Sequence, residues 1–146
     1  MTRRNFLERL VQATLGLSAL GFLAPIFSYL APRFEKGGRK QFTDVRDKPI
    51  SAKEIGEEGS QIGLMGGEPT IVVRQGGELL AFSAVCTHLG CIVHWEAGEK
   101  IFFCSCHAGK FDSNGVNIAG PPPRPLRRYK VVVGREGEIE LESEKI

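Results

Sequence analysis

The sequence has 146 residues and a formal net charge of +2, with lysines, arginines and acidic residues interspersed. That length accommodates one globular domain plus an accessory segment, and the charge pattern carries no nucleic-acid footprint. Eighteen glycines and eight prolines point to a turn-rich β protein rather than a helical one, and no internal repeat or low-complexity tract is visible.

The N-terminus reads Thr2-Arg3-Arg4-Asn5-Phe6-Leu7, similar to a twin-arginine export motif, and residues 1–9 form a polar head. Leu10 to Pro32 then runs 23 residues without a charge. As a helix it spans the roughly 30 Å of a bilayer's hydrocarbon. A cleaved leader would have a shorter apolar run and a small-residue cleavage site, and neither is present, so residues 10–32 read as a retained signal-anchor. Pro25 lies inside it, placed to kink the helix. Residues 33–40 read as a flexible neck, because Glu35 to Lys40 is polar and contains the pair Gly37-Gly38.

From Gln41 onward the strand signals are short and regular. Thr70–Arg74 and Leu79–Val85 flank Gln75-Gly76-Gly77-Glu78, a hairpin turn in which glycine tolerates positive φ. Ile101–Phe103 is a strand, and a further hairpin surrounds Asp112-Ser113-Asn114-Gly115. Tyr129–Val133 and Glu138–Leu141 pair across Gly134–Gly137, with Val131, Val133, Ile139 and Leu141 as the expected buried face. Residues 52–67 are glycine-rich and show no usable period. These signals predict an all-β fold, a small antiparallel domain over residues 41–146, behind one transmembrane helix.

All four cysteines and two of the three histidines fall in two short blocks. The first is Cys86-Thr87-His88-Leu89-Gly90-Cys91; twelve residues later comes Cys104-Ser105-Cys106-His107. Each block offers a Cys–His pair, Cys86/His88 and Cys104/His107. Two thiolates and two imidazoles suit either a tetrahedral zinc ion or an iron–sulfur cluster with cysteines on one iron and histidines on the other. One surplus cysteine per block can tie the loops together by a disulfide, a bond that persists in an oxidising compartment.

The blocks closely resemble the Cys-Thr-His-Leu-Gly-Cys and Cys-x-Cys-His motifs of the Rieske iron–sulfur proteins of quinol-oxidising cytochrome bc and b/f-type complexes. The resemblance implies one 2Fe–2S cluster, with Cys86 and Cys104 on the inner iron, His88 and His107 on the outer iron, and Cys91–Cys106 as a disulfide. It implies a cluster-binding tip over about residues 84–125. The run Gly120-Pro121-Pro122-Pro123 is similar to the proline loop that covers the cluster in that family. His107 would accept a hydrogen bond from quinol; one electron and one proton would leave the quinol together, and the electron would pass to a c-type cytochrome. A cytochrome b-type subunit, a dimeric complex and a swinging head on the neck are implied as well.

Two departures from the family pattern concern redox potential. Many high-potential members follow the last histidine with Gly-Ser-x-Tyr, whose hydroxyls donate to cluster sulfur. Here the run is Ala108-Gly109-Lys110-Phe111, so both hydroxyls are missing at Gly109 and Phe111. Hydrogen bonds to sulfur favour the reduced cluster. At roughly 1 kcal/mol each, two lost bonds lower a one-electron potential by on the order of 90 mV. Such a centre favours menaquinol over ubiquinol. Ser105 also replaces a usual proline, and His94 beside Trp95 reads as a surface or packing residue.

Arg33, Lys36, Arg39 and Lys40 flank the far side of the span, at least as many cations as Arg3, Arg4 and Arg9 on the near side. A simple positive-inside count therefore opposes export of the domain. Long domains translocate largely regardless of charge, and a folded cofactor and a disulfide both call for the twin-arginine route and the outer face. The expectation is a single-pass protein of a bacterial cytoplasmic membrane with the cluster domain outside. The alternatives are the small Rieske subunit of a molybdenum oxidase such as arsenite oxidase, a soluble dioxygenase-type ferredoxin, and a zinc-stabilised tethered module. The basic group Arg124, Arg127, Arg128 and Lys130 reads as solvated surface.

Overall fold

The computed structural model describes residues 3–30 and 38–143. The chain divides into two units, an N-terminal helical segment and a β domain. Helix α1 spans Arg3–Leu30, 28 residues, and so extends about 42 Å. It begins seven residues before the uncharged run, because Arg4 and Glu8 stand one turn apart and pair at 3.1 Å on the helix surface. Leu15, Leu17, Leu20, Phe22 and Leu23 are all exposed. A helix apolar on every face suits either the core of a large assembly or a membrane span. Its best 18-residue window has a mean hydropathy of 1.7, long and apolar enough to cross a membrane. Residues 31–37, which hold most of the expected neck, lie outside the described residues.

In chain order the β domain contains β1 (Lys40–Thr43), β2 (Ser60–Met65), β3 (Glu68–Gln75), β4 (Glu78–Ser83) and β5 (His94–Glu96). There follow β6 (Ile101–Cys104), β7 (Gly109–Phe111), β8 (Asn117–Ala119), β9 (Arg128–Val133) and β10 (Ile139–Ser143). Six strands close into an antiparallel barrel in the order β1-β10-β9-β4-β3-β2, and β5-β6-β7-β8 form a separate four-stranded sheet. The β3–β4 hairpin turns on Gly76 and Gly77, at φ 57° and 85°. Both central residues of such a tight turn need positive φ, which only glycine adopts without strain.

The run Thr70-Ile71-Val72-Val73 is buried at every position. Alternation explains it: side chains of a strand point to opposite faces in turn. Val72 and Ala81 join the barrel core with Phe42, Tyr129, Ile139 and Leu141. Ile71, Val73 and Phe82 point the other way and form a second core with Trp95, Phe102, Phe111 and Leu126. The rings of Phe82 and Phe102 meet edge to face at 5.0 Å. The small sheet is thereby mounted on the outer face of β3–β4.

Two expectations need adjustment. Val133 is 49% exposed, although its pairing partner Ile139 is fully buried. It stands near the end of β9, where the barrel face runs out. Residues 52–67, which show no usable period in the sequence, contain defined elements: Ala52–Glu54 form a 3-10 turn in a capping box made by Ser51 and Glu54, and β2 follows. The first half of β2, Ser60 to Ile62, is exposed on both faces, so no alternation marks it in the sequence.

Candidate metal centre

Both cysteine–histidine blocks sit in turns fixed by the strands they connect. The first follows β4. Its entry and exit are clamped by Cys86 N–H donating to Cys91 O at 2.7 Å, Gly90 N–H to Cys86 O at 3.0 Å, and a bridge between Val85 and Ile92. The second is the β6–β7 turn, in which Cys104 pairs with Gly109. Ala108 occupies it at φ 53°, a left-handed conformation in which a β-carbon is strained.

These two turns converge. Cys91 and Cys106 form a disulfide, with Cα atoms 6.6 Å apart. The Cys104 Sγ lies within 4.8 Å of both bridged sulfurs. Cys86 and Cys104 remain free thiols and are 4% and 2% exposed. Burial pushes the Cys86 thiol up, and the neighbouring Cys104 adds to the rise; backbone N–H donors from His88 and Leu89 oppose it. The His88 and His107 rings stand 4.7 Å apart between centroids, nearly perpendicular. His88 is half-buried and its Nδ1 is buried without a hydrogen-bond partner, whereas His107 is exposed. A buried imidazole nitrogen with no partner is costly unless something binds it.

The arrangement is graded: two thiols inside, two imidazoles towards solvent, and a disulfide beside them. Two buried thiols, a stranded imidazole nitrogen and a second imidazole make a donor set that fits an iron–sulfur cluster with mixed ligation. The proline run closes one side. Pro122 is buried, its carbonyl accepts from Asn117 Nδ2 at 3.1 Å, and the Arg124 carbonyl accepts from Thr87 Oγ1 at 2.7 Å. Gly109 is buried beneath Pro122, and Phe111 is fully buried in the core that contains both free cysteines.

Sequence reasoning did not single out Thr87 or Asn117. Thr87 lies within the first block, but its partner is 37 residues away and nothing local announces it. His94, by contrast, is a packing residue: its ring meets Phe103 edge to face at 5.4 Å between centroids, and it pairs with Glu96 at 3.0 Å. A groove of about 920 Å³ beside the first block is lined by Arg124, Arg127 and Arg128, with Glu68 as its carboxylate. Arg127 pairs with Glu68 at 3.6 Å, and Arg128 lies over the Phe82 ring.

The Rieske [2Fe-2S] domain family matches residues 48–130. The cytochrome b6-f complex iron-sulfur subunit of Chlorobaculum tepidum is 36% identical over 137 residues, covering 94% of this chain and 73% of that protein. Among solved structures, a chain of a hyperthermophilic respiratory Complex III superposes with a TM-score of 0.55 at 25% identity, covering 90% of this chain and 98% of that one. The ferredoxin of carbazole 1,9a-dioxygenase from Nocardioides aromaticivorans IC177 gives a TM-score of 0.55 at 28% identity but covers only 66% of this chain. The Chlorobaculum tepidum and Complex III matches are longer than residues 38–143 and so reach into the N-terminal segment, whereas a match of the ferredoxin's length fits within the β domain. The fold and the paired turns define an iron–sulfur protein. This chain belongs to the Rieske family, and its cofactor is a 2Fe–2S cluster.

Proposed function

We propose that the chain is the iron–sulfur subunit of a membrane cytochrome bc or b6-f type complex. In this reading it takes one electron from a quinol and passes it to a c-type cytochrome. One observation carries the proposal: Cys86, Cys104, His88 and His107 converge from two disulfide-joined turns, with the histidine of the second turn open to solvent. The length of the match to the Chlorobaculum tepidum subunit, reaching past the β domain, supports a membrane subunit rather than a soluble carrier.

Cys86 and Cys104 would hold the inner iron, and His88 and His107 the outer one. The bound cluster supplies one-electron redox chemistry. The protein does the rest. The hydrophobic floor of Phe102, Phe111 and Trp95 keeps water from the thiolate side. The Cys91–Cys106 bridge holds the two turns at the spacing that brings the histidines together, and the loop of Gly120, Pro121, Pro122 and Pro123 covers the flank. Exposed His107 presents its imidazole to quinol, accepting the hydrogen bond and then the proton. Leu89, 71% exposed beside His88, offers an apolar contact to the membrane-embedded partner.

The positions that could add side-chain hydroxyls beside the cluster are Gly109 and Phe111, and neither carries one. The missing hydroxyls support a low potential and, with it, menaquinol as the electron donor. The helix α1 anchors the chain, with Arg3 and Arg4 as the twin-arginine signal on the cytoplasmic side. The domain then sits on the outer face of a bacterial membrane, in a dimeric complex beside a cytochrome b-type subunit.

The test is an EPR-monitored redox titration of the full chain, with iron and acid-labile sulfide assayed on the same sample. A Rieske-type 2Fe–2S signal of low midpoint is expected. The same signal at the top of the Rieske range would remove the menaquinol assignment, and zinc without sulfide would overturn the electron-transfer function.

A further inference from the structure

Position 109 and the cover loop are interlocked. A β-carbon built on Gly109 would lie 2.7 Å from Pro122 Cγ, 3.2 Å from Pro122 Cδ and 3.6 Å from Cys104 Cβ. The first of these distances is shorter than packed side chains tolerate. The obstructing atoms belong to a ring closed onto the backbone, so no rotamer change moves them aside. The approach is tight from the other side too. A β-carbon on Gly120, which has φ 83°, would lie 2.8 Å from Gly109 Cα and 2.9 Å from the Ala108 carbonyl oxygen.

The loop is also pinned on both sides of that contact. Asn117, on β8, holds the Pro122 carbonyl, and Thr87, in the first turn, holds the Arg124 carbonyl. Gly120 at one end and these two hydrogen bonds at the other leave the Pro122 ring no direction in which to retreat without unseating the loop.

We propose that Pro122 is a positioning residue that dictates glycine at 109: its ring fills the volume of a side chain there and bars any hydroxyl from that place beside Cys104. The inference rests on the cluster assignment made above and adds to it a reason for the missing donor. Serine at 109 alone would not supply a hydrogen bond to the cluster; it would lift the cover loop. Serine becomes acceptable only when residue 122 is small.

The experiment uses the full-length holoprotein as wild type, G109S, G109A, P122A and G109S/P122A. Two readouts are recorded: the temperature at which the cluster's visible circular dichroism is lost, and the midpoint potential. G109S and G109A are each expected to lower the temperature of cluster loss by about 5 to 10 °C, the size of an overpacking cost in a domain this small. G109S/P122A is expected to lose its cluster within about 2 °C of P122A, a non-additive pair of the kind direct contact produces. Its midpoint is expected to rise above that of P122A, while G109S shows no rise over wild type. If G109S yields no folded protein, recovery of holoprotein in G109S/P122A counts for the interlock and its failure counts against it. Additive losses in the double variant, or a G109S protein as stable as wild type, overturn the proposal. A wild type without iron and acid-labile sulfide would instead remove the cluster assignment, so the two failures are distinguishable.

Discussion

Phe111→Tyr isolates the second missing hydroxyl. Phe111 is fully buried in a core whose other members include Ile71, Val73, Phe82, Ala84, Val93 and Phe102. The hydroxyl therefore arrives where no water can satisfy it. Among that core's side chains the available acceptors are the sulfurs of Cys86 and Cys104, since Trp95 can only donate. An unpaired buried hydroxyl costs about 1–3 kcal/mol, whereas a hydrogen bond to sulfur returns about 1 kcal/mol and favours the reduced, more negative cluster. For a one-electron couple, 1 kcal/mol corresponds to about 40 mV. The expected result is a midpoint raised by about 40 mV, with a melting temperature within a few degrees of wild type. EPR-monitored titration and thermal loss of visible dichroism read the two quantities. An unmoved midpoint refutes the reasoning. A melting point lowered by about 5 to 10 °C in the same protein would locate the hydroxyl unpaired in the core.

Three further outcomes follow from particular contacts. Replacing Cys91 and Cys106 together by serine opens a link of 15 residues and is expected to cost about 3 kcal/mol, read as a lower midpoint of urea unfolding and faster cluster loss. Ala108→Gly relieves a left-handed alanine and is expected to raise stability by up to about 1 kcal/mol in the same assay; a loss would show that the Ala108 methyl makes a compensating contact. Tyr129 sits in the barrel core and donates to Glu68 at 3.2 Å; burial first, and the Glu68 charge second, push its phenol above the usual value near 10. Because the unfolded tyrosine ionises first, this group leaves stability untouched below pH 10. It withdraws stability as pH rises from there towards the folded pKa, by at most about 1.4 kcal/mol per pH unit. Tyr129→Phe should therefore be less stable than wild type at pH 7, by about 1 kcal/mol for the lost hydrogen bond, and should close that gap above pH 10. Urea unfolding at pH 7, 10 and 11 reads it, and a gap constant with pH would contradict the assignment.

The sequence by itself determined the chemistry and most of the β elements. Ligand residues clustered in two short blocks are local information, and so are the glycine pair of the β3–β4 turn and the uncharged run of α1. The β3–β4, β7–β8 and β9–β10 hairpins were legible too, because each pairs neighbours across a few residues. Barrel closure was not. β1 pairs with β10 across about a hundred residues, and β2 shows no alternation, so neither carries a local signature of its partner. The doubly buried β3 was readable as an apolar run, but which neighbour covers each face depends on the small sheet docking through Phe82 and Phe102. The same limit applies at the metal centre. The absence of hydroxyls at Gly109 and Phe111 is plain in the sequence, whereas the ring of Pro122 resting on Gly109 arises from two loops brought together by Thr87, Asn117 and the disulfide. Composition and spacing state which atoms are available; only the packing of distant segments states which volumes are already occupied.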